Sequence, residues 1–437
     1  MDNSEKPLAS QSLCLWSLRI VASISLALAL CGPMKAQNPV IDWNAVAVAT
    51  ALSGNQTVSP GSNTAGGTSL YLAYTHLAIY DAVNAIEHRF QPYGAEIPAP
   101  AGASVDAAAI SAAYNILVFY FPDQSASLYI QYAAALSLIA DSQAKDDGVQ
   151  VGKSAANSII GMRTGDGRGA NVPYSFPSVP TAAVWIPTPP AKAPPQTPWV
   201  AQMLPFTMSS ASQFLPDEPP PSLTSTQWAD DYNQIKTLGA VNSAVRTPEQ
   251  TEIGLFWTEH TSRQYARALR ALAMQRALNT SDTARFFAMV WTAVADSFIG
   301  CMNAKYYFSF WRPVTAIQNG DLDGNSATIA GATWMPLGIT PNHPEYPAAH
   351  GCVTGAVSEI LKGYFGTPNV SFTVSSTVFN PPHAHTFTST KDLEKEVGEA
   401  RVYAGFHYHH SVVQGFALGH HVAHQLLVNF FQPVVSQ

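Results

Sequence analysis

The sequence predicts an all-α protein made of helical bundles, and three observations carry that expectation. Apolar, often Ala-rich segments recur at helical spacing across residues 67–90 and 105–163, and such patterns resume after residue 222. Strand signals are confined to SFTVSST, enough for one minor hairpin. Between the two helical stretches, 14 of the chain's 32 prolines fall within Pro173–Pro221, a density that no regular helix tolerates.

The elements follow in order. Residues 1–36 read as an export signal: Lys6 and Arg19 precede the apolar run IVASISLALALCG, and small residues continue to Ala36. A lipoprotein reading at Cys31 is weaker, because Leu30 is larger than such sites prefer. The protein is therefore expected outside the cytoplasm, periplasmic or secreted. Residues 37–172 form a first helical region, in which DAAAISAAYNILVFYF, SASLYIQYAAALSLIADSQAK and DDGVQVGKSAANSIIGMR read as consecutive helices with Asp and Ser at their starts. Residues 173–222 form a Pro-rich connection, whose aromatics Tyr174, Phe176, Trp185, Trp199 and Phe206 point to an ordered wrap. A second helical region, residues 223–437, contains SLTSTQWADDYNQIKTLGA, a pattern running from TPEQTEIGLFWTEH to ALAMQRAL, and SDTARFFAMVWTAVADSFIGCMNAKYYF. After the signal, no segment has about 18 uninterrupted apolar residues, so no membrane span is expected.

Charge narrows the function classes. Only 12% of residues are charged and the net charge is −7, which argues against nucleic acid or anionic membranes as partners. An anionic guest would need a local site. Three stretches supply one. In KYYFSFWRP, a continuous helix ending at Pro313 would project Lys305 and Arg312 from one face. In HPEYPAAHG, Pro344 and Pro347 stiffen the approach to His350. The small Ala348, Ala349 and Gly351 would let backbone N–H groups near a guest at the amino end of a following helix. In ARVYAGFHYHH, Arg401 and His407 stand about two helical turns apart. Together these residues suit a tetrahedral or trigonal-bipyramidal oxyanion.

Lys, six residues, Arg-Pro; Pro, two small residues, His; Arg, five residues, His: this order resembles the superfamily of vanadium-dependent haloperoxidases and type 2 phosphatidic acid phosphatases. THLAIYDAVNAIEH, VGKSAANSIIGMRTGDG and LPFTMSSASQFLP look like segments of its exported bacterial haloperoxidase-like branch. The resemblance implies the helical bundles of that superfamily and a vanadate cofactor, with phosphate as the alternative guest of the same site. Lys305, Arg312, Arg401 and the backbone at Ala349 would bind the oxyanion, His407 would be the axial ligand of vanadate, and His350 the acid-base group. Two reactions follow from one pocket: hydrogen peroxide oxidising a halide, or hydrolysis of a phosphate ester through a phosphohistidine at His407. A non-catalytic phosphate-binding protein is a third reading.

Departures from the family pattern sharpen the expectation. Ala348-Ala349 replaces Ser-Gly, removing a hydroxyl donor worth roughly 1.5–3 kcal/mol to a charged guest. Ser411 stands where an Asp often orients the axial histidine, so that orientation must come from elsewhere. His409 stands where an arginine is common. His343 matches a histidine of bromoperoxidase-like members, which implies bromide or iodide, although a buried supporting histidine fits equally. Other signals are bland: His420 and His424 share a helix face without a matching carboxylate, DLDGN at 321–325 reads as a turn, and His76 and Asp81 read as core polar residues with partners. Cys301 and Cys352 each lie near a site residue and are close enough in that scheme for pairing to stay open. Oligomeric state is not legible.

Overall fold

A computed structural model describes residues 38–434; the expected export signal lies outside them. The first region comprises α1 (Pro39–Leu52), α2 (Ala65–Glu87), α3 (Val105–Tyr120), α4 (Ser125–Ser137) and α5 (Gln143–Met162). After the Pro-rich stretch come α6 (Thr226–Leu238), α7 (Pro248–Phe256), α8 (Thr261–Gln275), α9 (Thr280–Phe308), α10 (Pro313–Gln318) and α11 (Ala349–Phe365). An antiparallel hairpin, β1 (Phe372–Ser376) and β2 (His383–Phe387), pairs Phe372 with Phe387, and α12 (Thr390–Tyr403) and α13 (His409–Asn429) complete the chain. The all-α expectation holds, hairpin included.

Most helices begin where their sequence says they should. Thr64, Ser104, Ser142, Ser225, Thr247, Asn279 and Ser389 each accept a first-turn N–H with their side chains, opening α2, α3, α5, α6, α7, α9 and α12. The axis of the molecule is α9, buried along nearly its whole length and packed against α2 from the first region and against α11 and α13 from the second. Among the described residues, one stretch is long and apolar enough to cross a membrane, Thr280–Gln318, and 94% of its apolar window is buried inside the protein.

The tightest helix pair is α11 with α13. Glycines at 351 and 355 face glycines at 415 and 419, and a Cβ on Gly415 would stand 2.6 Å from the Ala348 carbonyl oxygen. Backbone therefore meets backbone, which brings the start of α11 beside the start of α13. Gly351, expected to admit a ligand, serves this crossing instead: its Cβ would meet the Val412 carbonyl at 2.7 Å.

The Pro-rich connection is ordered. Trp185 and Trp199 are buried, and the Trp185 N–H donates to the Ser309 carbonyl at 2.7 Å while the Gln196 N–H donates to Asn342 at 2.8 Å.

Three helical patterns break where the sequence reads as continuous. The segment 247–278 divides into α7 and α8 because the His260 ring caps the Arg263 N–H and opens a new helix. KYYFSFWRP is interrupted by Ser309, left-handed at φ 49°, so Pro313 opens α10 where it was expected to end α9. ARVYAGFH leaves its helix after Tyr403, and Gly405 at φ 78° turns the chain toward α13.

Candidate functional site

Each break places a functional side chain. Lys305 occupies the last turn of α9, and its Nζ donates to the carbonyls of Pro344 at 3.0 Å and Glu345 at 2.9 Å. Arg312 precedes α10 on extended backbone; its guanidinium donates to the carbonyls of His343 (2.9 Å) and Phe406 (3.0 Å), to His343 Nδ1 (2.9 Å) and to His407 Nε2 (3.1 Å). The two cations therefore converge from separate elements and not from one helical face.

The Pro-bounded turn that ends in His350 carries more than that histidine. Glu345 is fully buried, and its Oε1 accepts from His407 Nδ1 at 2.9 Å and from the Tyr408 N–H at 3.2 Å. Ala348 precedes α11, which opens without a side-chain cap. The Ala348 N–H is bonded to the Ser411 carbonyl at 3.0 Å, so the N–H groups left for a guest begin at Ala349. His350 Nε2 lies 3.0 Å from the Thr261 hydroxyl.

Ala349, His350, Arg401, His407, His343 and Phe406 contribute to a cavity of about 470 Å³, which Trp257, Phe298 and Met302 also line. Lys305 and Arg312 are fully buried around the same residues. All five side chains expected at an oxyanion site thus gather in one region. Arg401 donates Nη1 to the Trp257 carbonyl at 2.8 Å, while its buried Nε and Nη2 have no partner among the described residues.

Electrostatics define the site's need. Burial lowers Lys305 to about 8, and burial with Arg312 nearby lowers Arg401 to about 9. Burial pushes His350 and His407 well below the ordinary histidine value, and neighbouring Arg401 (for His350) or Arg312 (for His407) adds to it, so both rings are neutral near pH 7. Three buried cations occupy this region with a single buried carboxylate among the site residues, Glu345, which lies beside Lys305 and Arg312 and is raised by burial to about 7. Such a set is completed by an anion.

Other expected residues fall as follows. His343 is buried against Arg312. His409 is exposed, as the first residue of α13. Ser411 is buried, but its hydroxyl neighbours Glu345 and makes no bond to His407. Cys301 and Cys352 are free, buried and in thiol contact. His76 bonds Asn44 at 2.8 Å, and Asp81 accepts the N–H groups of Tyr93 and Gly94. Asp323 closes its turn by accepting from Trp228 Nε1 and the Asn325 N–H. His420 contacts Glu359 and Glu394, carboxylates brought from α11 and α12 that spacing along α13 does not reveal.

Sequence reasoning missed Glu345, Thr261 and the Trp257 carbonyl. Glu345 had a signal: it is a lone carboxylate between two prolines, inside the stretch that holds His350. Thr261 and Trp257 had none, because their roles depend on how α7 and α8 pack.

Comparison with known proteins adds independent findings. Residues 285–436 match the family model for the VCPO second helical-bundle domain. A vanadium chloroperoxidase from Curvularia inaequalis is 28% identical over 191 residues, an alignment covering 36% of this chain and 30% of that protein's length. The crystal structure of a bacterial vanadium-dependent iodoperoxidase superposes with a TM-score of 0.77 at 21% identity, covering 93% of this chain and 99% of the other. A holo-type bacterial vanadium-dependent chloroperoxidase superposes at 0.68 with 16% identity, covering 85% and 93%.

Proposed function

We propose, from the match of residues 285–436 to the VCPO second helical-bundle domain and from the buried cationic site, that this chain is a vanadate-dependent haloperoxidase using hydrogen peroxide to oxidise a halide. One observation carries the reading: Lys305, Arg312 and Arg401 are buried with one carboxylate among them, and two Arg401 nitrogens lack partners among the described residues. These residues fit a vanadate oxyanion in charge and donor type. Lys305, Arg312, Arg401 and the backbone N–H of Ala349 would hold its oxygens, and His407 Nε2 would be its nitrogen donor. Bound vanadate supplies a Lewis-acidic centre that activates peroxide toward attack by halide.

The protein's own groups do the rest. His350, kept neutral by burial and by Arg401, accepts a proton from incoming peroxide at a ring nitrogen and returns it as water leaves. The net reaction consumes peroxide, halide and one proton and yields hypohalous acid and water. Trp257, Phe298, Met302 and Phe406 keep the reacting groups away from bulk water on one side. His343 beside Arg312 supports bromide or iodide over chloride as substrate. The amino-terminal apolar run supports a place outside the cytoplasm.

The test uses purified protein with and without added vanadate. Bromination dependent on vanadate and peroxide is the expected result. Hydrolysis of p-nitrophenyl phosphate that vanadate inhibits, without bromination, would overturn the reading in favour of a phosphatase using the same residues. Vanadate binding with neither reaction would leave a phosphate-binding protein.

A further inference from the structure

His407 stands on a loop between α12 and α13, where neither helix fixes its ring. An imidazole so placed has two tautomers and two ring orientations available, and only one combination presents an unprotonated Nε2 to a guest. We propose that Glu345 is the positioning residue of the site: its carboxylate holds the proton of His407 on Nδ1 and thereby fixes Nε2 as the donor atom.

The hydrogen bonds permit no other assignment. Arg312 carries donors and no acceptor, so its contact with His407 Nε2 at 3.1 Å requires a lone pair there. The ring proton is then on Nδ1, which lies 2.9 Å from Glu345 Oε1. The same oxygen accepts the N–H of Tyr408, immediately before α13, at 3.2 Å, and so ties the loop as well as the ring.

Glu345 is itself held from both sides. Its N–H donates to the Phe310 carbonyl at 2.9 Å, its carbonyl accepts from Lys305 Nζ at 2.9 Å, and Pro344 precedes it. Its fully buried carboxylate is the only one that bonds His407 among the described residues. The orienting carboxylate thus comes from the Pro-bounded turn, 62 residues before the histidine, and Ser411 on α13 neighbours that carboxylate without reaching the ring. One turn supplies both His350 and the group that aims His407.

This inference rests on the proposed function only for the identity of the guest, so its test avoids turnover. In the metal-free protein, nitrogen-15 NMR of labelled histidine should show His407 protonated at Nδ1 and bare at Nε2. A proton found on Nε2 would overturn the proposal whatever the variants do. Glu345→Ala should produce mixed tautomers at His407 and weaken vanadate and phosphate binding by about 10- to 100-fold, measured calorimetrically. Glu345→Gln, which keeps an acceptor oxygen, should restore the Nδ1–H tautomer and part of the affinity. A folded alanine variant with one tautomer and unchanged affinity would overturn the role. If bromination is absent while Glu345 still governs phosphate binding, the haloperoxidase reading fails and this inference stands.

Discussion

Arg163 and Arg401 are both removed from solvent, yet the protein surrounds them in opposite ways. Arg163, just after α5, donates to Asp166 and to the carbonyls of Leu204 and Pro205, and lies 4.0 Å above the Phe206 ring. Burial opposes its charge, but Tyr74 and Asp166 hold it above its ordinary value. Among the described residues Arg401 has one carbonyl partner and two unpartnered nitrogens, and burial with Arg312 pulls it down to about 9. A buried charge with every nitrogen engaged ties elements together; one with nitrogens to spare is arranged for something that arrives later.

Several substitutions separate those two uses. The largest expected effect is at the working end: His407→Ala should reduce vanadate-dependent bromination by about three orders of magnitude or more, read as peroxide-dependent bromination rate in a folded variant. Full activity in that variant would remove the whole site from consideration. Next, Arg163→Met leaves Asp166 buried without its cation, with the Tyr74 hydroxyl and the Arg168 N–H still donating to it, and should lower unfolding free energy by about 3–5 kcal/mol, measured by urea denaturation, with vanadate affinity unchanged.

Arg401→Met should show the reverse pattern. Stability should be preserved or improved, while vanadate and phosphate affinity falls by about 1.5–3 kcal/mol, the size of one hydrogen bond to a charged group. Equal stability losses in the two arginine variants would dissolve the distinction. Ligand linkage sharpens it further: phosphate at 100 times its Kd should stabilise the native protein by about 2.7 kcal/mol. That gain should survive Arg163→Met and shrink strongly in Arg401→Met, as thermal shifts would record.

The smallest effect concerns a third kind of charge, half-exposed on β2. His385 contacts Glu396 and Glu252, which raise it against the lowering effect of burial. A raised histidine contributes stability that is complete below its unfolded value, near 6.5, and is lost as pH rises through the folded value. His385→Asn should therefore destabilise the protein at pH 6 and be neutral at pH 9, by well under about 1 kcal/mol given solvent screening. The readout is urea denaturation at the two pH values.

Much of this was legible without coordinates. Helical periodicity located α2 to α6, the α7–α8 segment and α9, because an apolar face that must be buried repeats along the chain at the helical period, but it left α1 (Pro39–Leu52) unmarked. The five residues Lys305, Arg312, His350, Arg401 and His407 were legible through residue type and order. Their mechanism of convergence was not. Continuous helices were expected to align Lys305 with Arg312 and Arg401 with His407, whereas Ser309 and Gly405 break both segments in the left-handed conformation. Spacing along a chain carries no information about where a turn points its next residue.

The sequence by itself determined the helical class, singled out the side chains expected at an oxyanion site and raised the need for a substitute orienting group once Ser411 stood in place of a carboxylate. Only the tertiary structure decided that Glu345 bonds His407, that Thr261 meets His350, and that two Arg401 nitrogens have no partner among the described residues. The physical reason is range. Helix formation and capping are settled by neighbours within a few residues, while a hydrogen bond across 62 residues exists only because glycine-lined helices cross closely enough to bring two loops together.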